Sequence, residues 1–324
     1  MDALDQVILN KIQVAFPLHP RPFQLIGKEA EITENEAWQR VNSLRENRII
    51  RRIGGVFDSR ILGYTSTLCA AEVPEDKISI LARLMQGITE ITHNYLRLHP
   101  KYNLWFTIIA SSQERLQEVL TLVKTALGSN EVYSLPAIEV FKIGVIFNLG
   151  DYQDEFNPSY STSKESSKYV LTEEDKILVK TLQDSLPSSL RPFDDLARKL
   201  DMDETYLITG SQRLLDNYVM RRFGAILYHQ KAGFTSNGMG VWIVPEEIAN
   251  EVGLKMAEFQ EVSHCYQRPT LPDWPYNLFT MIHGHTNQEC QQIMANISEV
   301  TGIKDYALLF SHKELKKSSM RYFT

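Results

Sequence analysis

Three cysteines, Cys69, Cys265 and Cys290, are all that 324 residues contain, and no two form a Cys-x-x-Cys pair. An odd set without that spacing suits a reducing compartment, so the sequence reads as cytoplasmic. No apolar run approaches the length of a membrane span. The opening MDALDQVILNKI has acidic residues where a signal peptide has a basic region, so no leader is expected. Positive charge is scarce too, with a net charge of −6 and a pI ≈ 5.8. That is poor footing for a nucleic-acid binder, whose domains tend to be basic, although a locally basic pocket stays compatible. Nucleotide-binding and hydrolase signatures are also missing. There is no Walker loop, no GxSxG and no HExxH, and neither Gly54-Gly55 nor Gly238-Met239-Gly240 completes a GxGxxG. Any catalysis has to come from side chains and from the substrate's own electronics.

What the chain does have is a stretch written twice. His93 to Thr107 reads HNYLRLHPKYNLWFT, and His264 to Thr280 reads HCYQRPTLPDWPYNLFT. Each copy has His-x-Tyr-x-Arg, a Pro-containing insert, then Tyr-Asn-Leu and an aromatic. Alternate residues of a strand share one face, so each copy presents a His-Tyr-Arg row to one surface. The row carries too much ionisable chemistry to be expected in a core.

The rest of the chain repeats as well. Arg191-Pro192-Phe193 follows Arg21-Pro22-Phe23 by 170 residues, and Arg221-Arg222 and Gly224 follow Arg51-Arg52 and Gly54 by the same interval. Such self-similarity marks a tandem duplication of a unit of one domain's length. Hydrophobic content of 43% is enough to give each unit a core. In the first unit the spacing predicts helices over 5–15, 23–30 and 33–46, the last opened by the capping pattern Thr33-x-x-Glu36. A strand over 49–57 then turns back through 59–64, the shape of a winged helix-turn-helix. Helices over 173–182, 193–200 and 203–215 and a strand over 218–228 repeat this. Beyond them come strands over 65–73, 88–97, 103–110 and 137–144 with helices over 76–85 and 113–126, the βαββαβ order of a ferredoxin-like fold. Strands over 235–244, 260–268, 277–283 and 305–310 with helices over 246–256 and 288–300 match them.

The fold class is therefore α+β, a tandem repeat of a winged helix-turn-helix plus a ferredoxin-like domain. Its expected domains are 1–64, 65–149, 170–234 and 235–324, with the Ser-rich segment 150–169 as an exposed linker. This arrangement resembles the Lrp/AsnC regulators of bacteria, and fold alone does not choose a function. The candidate recognition helices open on Asn35-Glu36 and Asp203-Glu204, whose carboxylates would repel phosphate, so no nucleic-acid partner is expected.

His titrates near neutrality, Arg holds carboxylates and Tyr can donate a proton, so the duplicated row suits a polycarboxylate whose reaction needs a proton delivered. Of Arg51-Arg52 and Arg221-Arg222, at most one of each pair can face a common ligand from a strand. His283-x-His285 is a weak metal signal by itself. Cys265 beside His264 should face away from it, which discounts a Cys-His nucleophile.

The stretches HNYLRLHPKYNLWFT, HCYQRPTLPDWPYNLFTMIHG and RRIGGVFDSRILGY together resemble the siroheme decarboxylases, in the fused two-unit form of d1-type haem biosynthesis. Unfused relatives serve the alternative haem pathway. The resemblance covers nearly all of both units, and ordinary Lrp/AsnC regulators lack the His-x-Tyr-x-Arg row. It implies removal of CO2 from two acetate side chains of siroheme to give 12,18-didecarboxysiroheme, without a cofactor and with no metal beyond the substrate's iron. It further implies His93 and His264 as general acids, with Tyr95 and Tyr266 orienting the carboxylate or relaying protons. Arg51, Arg52, Arg97, Arg221, Arg222 and Arg268 would hold the remaining carboxylates, joined by Tyr102, Asn103, Tyr276 and Asn277. His99 and His283 are candidate iron ligands. Related decarboxylase subunits, an internal pseudo-dimer and a homodimer are the partners it suggests.

The copies differ, with Leu-His-Pro-Lys at 98–101 facing Pro-Thr-Leu-Pro-Asp-Trp-Pro at 269–275, and Asp58-Ser59-Arg60 facing Tyr228-His229-Gln230. The two sites need not be equivalent, and the longer insert could wall the other copy's site. The rival readings are an Lrp/AsnC-type transcription regulator and a protein that binds haem or siroheme without transforming it.

Overall fold

The computed structural model describes residues 1–149, 169–228, 231–271 and 273–324. The expected linker falls outside them except for Tyr169, as do His229, Gln230 and Pro272. Helix-turn-helix and ferredoxin-like parts both occur twice, but the compact units cut across the repeat. One unit gathers the helical parts (Met1–Leu62, Ile146–Gly233 and Arg321–Thr324), the other the strand-rich parts (Gly63–Val145 and Phe234–Met320).

In the helical unit, α1 (Ala3–Val14), α2 (Pro22–Glu29) and α3 (Glu34–Glu46) lead into β1 (Ile50–Phe57). The second copy is α6 (Glu173–Leu182), α7 (Pro192–Lys199), α8 (Glu204–Asp216) and β7 (Met220–Leu227). Pro22 and Pro192 start their helices where a missing N–H costs nothing, and Thr33 and Asp203 cap α3 and α8. The expected return strand over 59–64 does not form. The ladder of β1 is taken by β7, antiparallel, with Gly54 opposite Gly224. Those glycines explain the exchange, because α1 packs on β7 and α6 packs on β1. A Cβ at Gly224 would meet the Gln13 and Ile12 carbonyls at 2.6 Å, so a side chain would push the helix end away. Phe16 N–H donates to Phe223 O and Leu186 N–H to Ile53 O, both at 2.8 Å, sealing the two crossings.

The strand-rich unit holds β2 (Thr65–Ala71), α4 (Glu75–Gly87), β3 (Ile91–Arg97), β4 (Leu104–Ala110), α5 (Gln113–Leu127), β5 (Val132–Pro136) and β6 (Glu139–Ile143). Its second half holds β8 (Ser236–Trp242), α9 (Ala249–Glu258), β9 (Val262–Gln267), β10 (Leu278–Gly284), α10 (Asn287–Thr301) and β11 (Tyr306–Lys317). The strand order is β5-β2-β4-β3-β11-β8-β10-β9-β6. The strand foreseen over 137–144 forms as β6, and β5, which ends at Pro136, precedes it as a strand the spacing did not reveal. β5 pairs with β2, and β6 pairs with β9 in the other half. β11 makes the reciprocal crossing unbroken, Tyr306 to Phe310 on β8 and Ser311 to Lys317 on β3. Lys316 fixes its far end by donating to the carbonyls of Met85, Gln86 and Ile88 at the end of α4. The strands carrying the two His-Tyr-Arg rows, β3 and β9, are thus each paired on both sides and are not edges.

Two cores lie under the helices, and a third joins Ala70, Tyr102, Trp105 and Leu135 to Met239, Val241, Trp274, Phe279 and Leu309 from the second half. Among the described residues no helix is long and apolar enough to cross a membrane.

Candidate active site

Each row begins with a β-bulge. On β3, Ile91 stands opposite Ile108 and His93 opposite Thr107, leaving Thr92 as the extra residue. On β9, Val262 stands opposite Ile282 and His264 opposite Met281, leaving Ser263 extra. An extra residue breaks strict alternation and re-aims side chains. The result in both copies is a hydroxyl beside the imidazole. Thr92 Oγ1 lies 3.0 Å from His93 Nδ1, and Ser263 Oγ 3.0 Å from His264 Nδ1. These hydroxyls were not among the expected site residues, although a Thr or Ser directly precedes each His in the sequence.

Beyond the bulge, alternation holds. Asn94 turns to the helix side, where Nδ2 meets the Met85 sulfur, and Cys265 is buried beneath α9 with Sγ 3.6 Å from Gly253 O. Burial pushes the Cys265 thiol well up, which removes it as a nucleophile. His93 and Tyr95 stack at 6.3 Å between centroids, His264 and Tyr266 at 6.0 Å, on the face away from the helices.

The rows are more buried than expected. The histidines are half-buried, but Tyr95, Arg97 and Arg268 are 9%, 5% and 9% exposed. Arg97 Nη1 donates to Leu309 O at 2.8 Å, and Arg268 Nη1 to Leu135 O at 2.5 Å. Each guanidinium also lies over its row's tyrosine, 5.5 Å from Tyr95 and 4.6 Å from Tyr266. Burial lowers both to about 10, so they remain cationic at neutral pH. A carbonyl dipole and a π face, in place of a carboxylate, carry these charges into the core.

The Tyr-Asn pairs do structural work. Asn103 Oδ1 accepts from Val73 N–H and Nδ2 donates to Val73 O, both at 2.8 Å. Asn277 clamps Val244 in the same way at 2.9 and 2.8 Å. Tyr102 is fully buried and donates to Asp273 at 2.5 Å. Lys101 reaches the same carboxylate. Tyr276 packs edge-on to Trp274, 4.8 Å away. Asp273 and Trp274, both from the longer insert, therefore close over the first copy's loop, with Trp274 5.3 Å from His99 and 5.1 Å from Trp105.

Both candidate iron ligands have one ring nitrogen engaged within the protein. His99 Nδ1 accepts from the N–H groups of Lys101 and Tyr102 at 3.2 and 2.9 Å, and burial lowers its pKa. A neutral ring accepting at Nδ1 carries its proton on Nε2, with no lone pair for iron. His283 Nε2 lies 3.0 Å from Ser263 Oγ. Among the described residues no group of three or more His, Cys, Asp or Glu could hold a metal.

The paired arginines belong to the helical unit. Arg221 donates to Asp58 at 2.6 Å, with Arg60 on the same carboxylate at 2.9 Å. Burial pushes Asp58 up, but the bonds from Arg60 and the charge of Arg221 outweigh it and hold it below the usual range. Arg52 caps Gly55 O at 3.1 Å and Arg222 bonds the Gln13 and Ala225 carbonyls. Arg51 is half-buried.

Residues 5–51 and 175–221 match the family model described as siroheme decarboxylase NirDL-like HTH domain, and residues 61–142 and 231–316 match the AsnC-like ligand binding domain. Over 98% of its length the chain is 37% identical to the siroheme decarboxylase of Hydrogenobacter thermophilus, of which it covers 94%. The chain belongs to the siroheme decarboxylase family. A solved siroheme decarboxylase NirDL, in co-complex with an iron-uroporphyrin III analogue, aligns with all of it at a TM-score of 0.73 and 33% identity, with 95% of that chain covered. The siroheme decarboxylase beta subunit of Methanosarcina barkeri is 46% identical over 44% of the chain, which covers 95% of that subunit. One such subunit therefore corresponds to about half of this chain.

Proposed function

We propose that the chain is a siroheme decarboxylase, a carboxy-lyase that turns acetate side chains of the tetrapyrrole into methyl groups. The observation that carries this reading is the pair of His-Tyr rows, each with its imidazole hydrogen-bonded at Nδ1, in a chain whose relatives bear that name over their full length. Loss of CO2 leaves an electron pair that the conjugated ring accepts and that one proton must quench. His93 and His264 supply the general acid, fixed in orientation by Thr92 and Ser263. Tyr95 and Tyr266 hold the carboxylate beside them. The iron arrives with the substrate, and no cofactor is needed. Two subunit-like halves in one chain make an internal pseudo-dimer in the cytoplasm, with didecarboxysiroheme as product.

The regulator reading is weakened by the helices that would meet DNA. Arg40 on α3 is spent on Asp2, Asp5 and Glu36, and Arg213 on α8 on Asp175. Anaerobic incubation with siroheme tests the proposal. Extracted tetrapyrrole lighter by CO2 supports an enzyme, whereas unchanged siroheme in a tight complex supports a carrier. Specific retention of promoter DNA at low salt would favour a regulator.

A further inference from the structure

The two copies part company behind their histidines. In the first, Thr92 meets His93, and Ile109 holds the position on β4 that His283 holds on β10. In the second, Ser263 Oγ lies 3.0 Å from His264 Nδ1 and 3.0 Å from His283 Nε2, with Met281 O at 3.2 Å as a further acceptor. The bulge that frees Ser263 from alternation is what lets one hydroxyl reach both rings. Ser263 is 6% exposed, so the link runs through the protein and not through bulk water. Tyr266 is stacked on His264, and Lys142 on β6 turns its Nζ away to Phe259 O at 2.7 Å. Glu261 contributes its backbone carbonyl to His283 N–H at 3.4 Å.

We propose that Ser263 and His283 are positioning and proton-supplying residues for His264, and that the second copy's His is the better acid for that reason. The inference rests on the decarboxylase reading. As the acetate's C–CO2 bond breaks, its electron pair passes to the substrate and takes a proton from His264 Nε2. His264 regains a proton on Nδ1 from the Ser263 hydroxyl, and Ser263 takes one from Nε2 of a His283 protonated on both nitrogens, which is left neutral. One proton thus enters for each CO2 that leaves, and His264 ends as the other neutral tautomer.

Steady-state turnover of siroheme by the full chain tests this, comparing Ser263→Ala, His283→Ile (the first copy's residue), the double variant and Ser263→Thr (the first copy's hydroxyl). A relay acts as a unit, so each single variant is expected to lower kcat about tenfold or more with KM unchanged, and the double variant no further. Ser263→Thr should recover most of the loss, which a merely structural defect would not do. Wild-type kcat in either single variant, multiplying losses in the double, or no recovery with Thr overturns the relay. Failure of the decarboxylase reading is distinguishable, because the unmutated chain would then release no CO2.

Discussion

Arg97 donates to the carbonyl oxygen of Leu309 at 2.8 Å, on a strand of the other half of the sheet, and among the described residues it forms no ion pair with a carboxylate. Arg268 and Leu135 repeat the relationship. These arginines act first on the fold. Truncating Arg97 to Ala leaves a buried carbonyl without its donor and opens a cavity, costing about 2–4 kcal/mol in urea unfolding. Arg97→Met, which fills the space, should recover part of it. Unchanged stability in Arg97→Ala would return the residue to substrate binding.

His93→Ala and His264→Ala should not be equally damaging. The hydroxyl behind His264 reaches a second imidazole, and where His283 stands in the second copy the first has Ile109. Single-turnover rates with siroheme should fall further in His264→Ala, by about tenfold relative to His93→Ala. Equal rates would mean that the copies share the work.

Trp274 is 1% exposed and packs on Trp105, Tyr102 and His99. It belongs to the second copy's insert but closes the first copy's loop. Trp274→Ala should cost about 3–5 kcal/mol in equilibrium unfolding. A loss confined to turnover, with stability intact, would make the indole a substrate contact instead.

Asp58 predicts an acid weakness of the helical unit. Its carboxyl, held low by Arg60 and Arg221 against the opposing effect of burial, stabilises the fold fully above the ordinary aspartate pKa of about 3.9. That contribution is lost as pH falls through the lower value in the folded protein. Asp58→Asn should flatten the stability–pH curve there while lowering stability at neutral pH. Parallel curves for the two proteins would contradict the assignment.

The helices, the repeat and both histidine rows were legible because each is local: apolar spacing, a cap or a proline, a motif written twice. What the sequence concealed depends on contacts distant along the chain. Ile50 to Phe57 reads as half of a hairpin, and only the absence of side chains at Gly54 and Gly224 lets α6 and α1 lie over the strands and join β1 to β7. Arg97 and Arg268 read as carboxylate anchors because nothing local reveals a carbonyl on a strand from the other half. Thr92 and Ser263 stood beside the histidines in plain view, but strict alternation puts neighbours on opposite faces, and a bulge is what overrides it. His283 and His99, read as iron ligands for their chemistry alone, turn out to be held by a serine and by a loop's own backbone.

The most direct test is anaerobic turnover of siroheme in D2O, followed by mass analysis of the tetrapyrrole. Protonation at carbon by a histidine that exchanges with solvent requires one retained deuterium for every CO2 lost. Intact siroheme, or CO2 lost without deuterium retained in the product, would contradict the account.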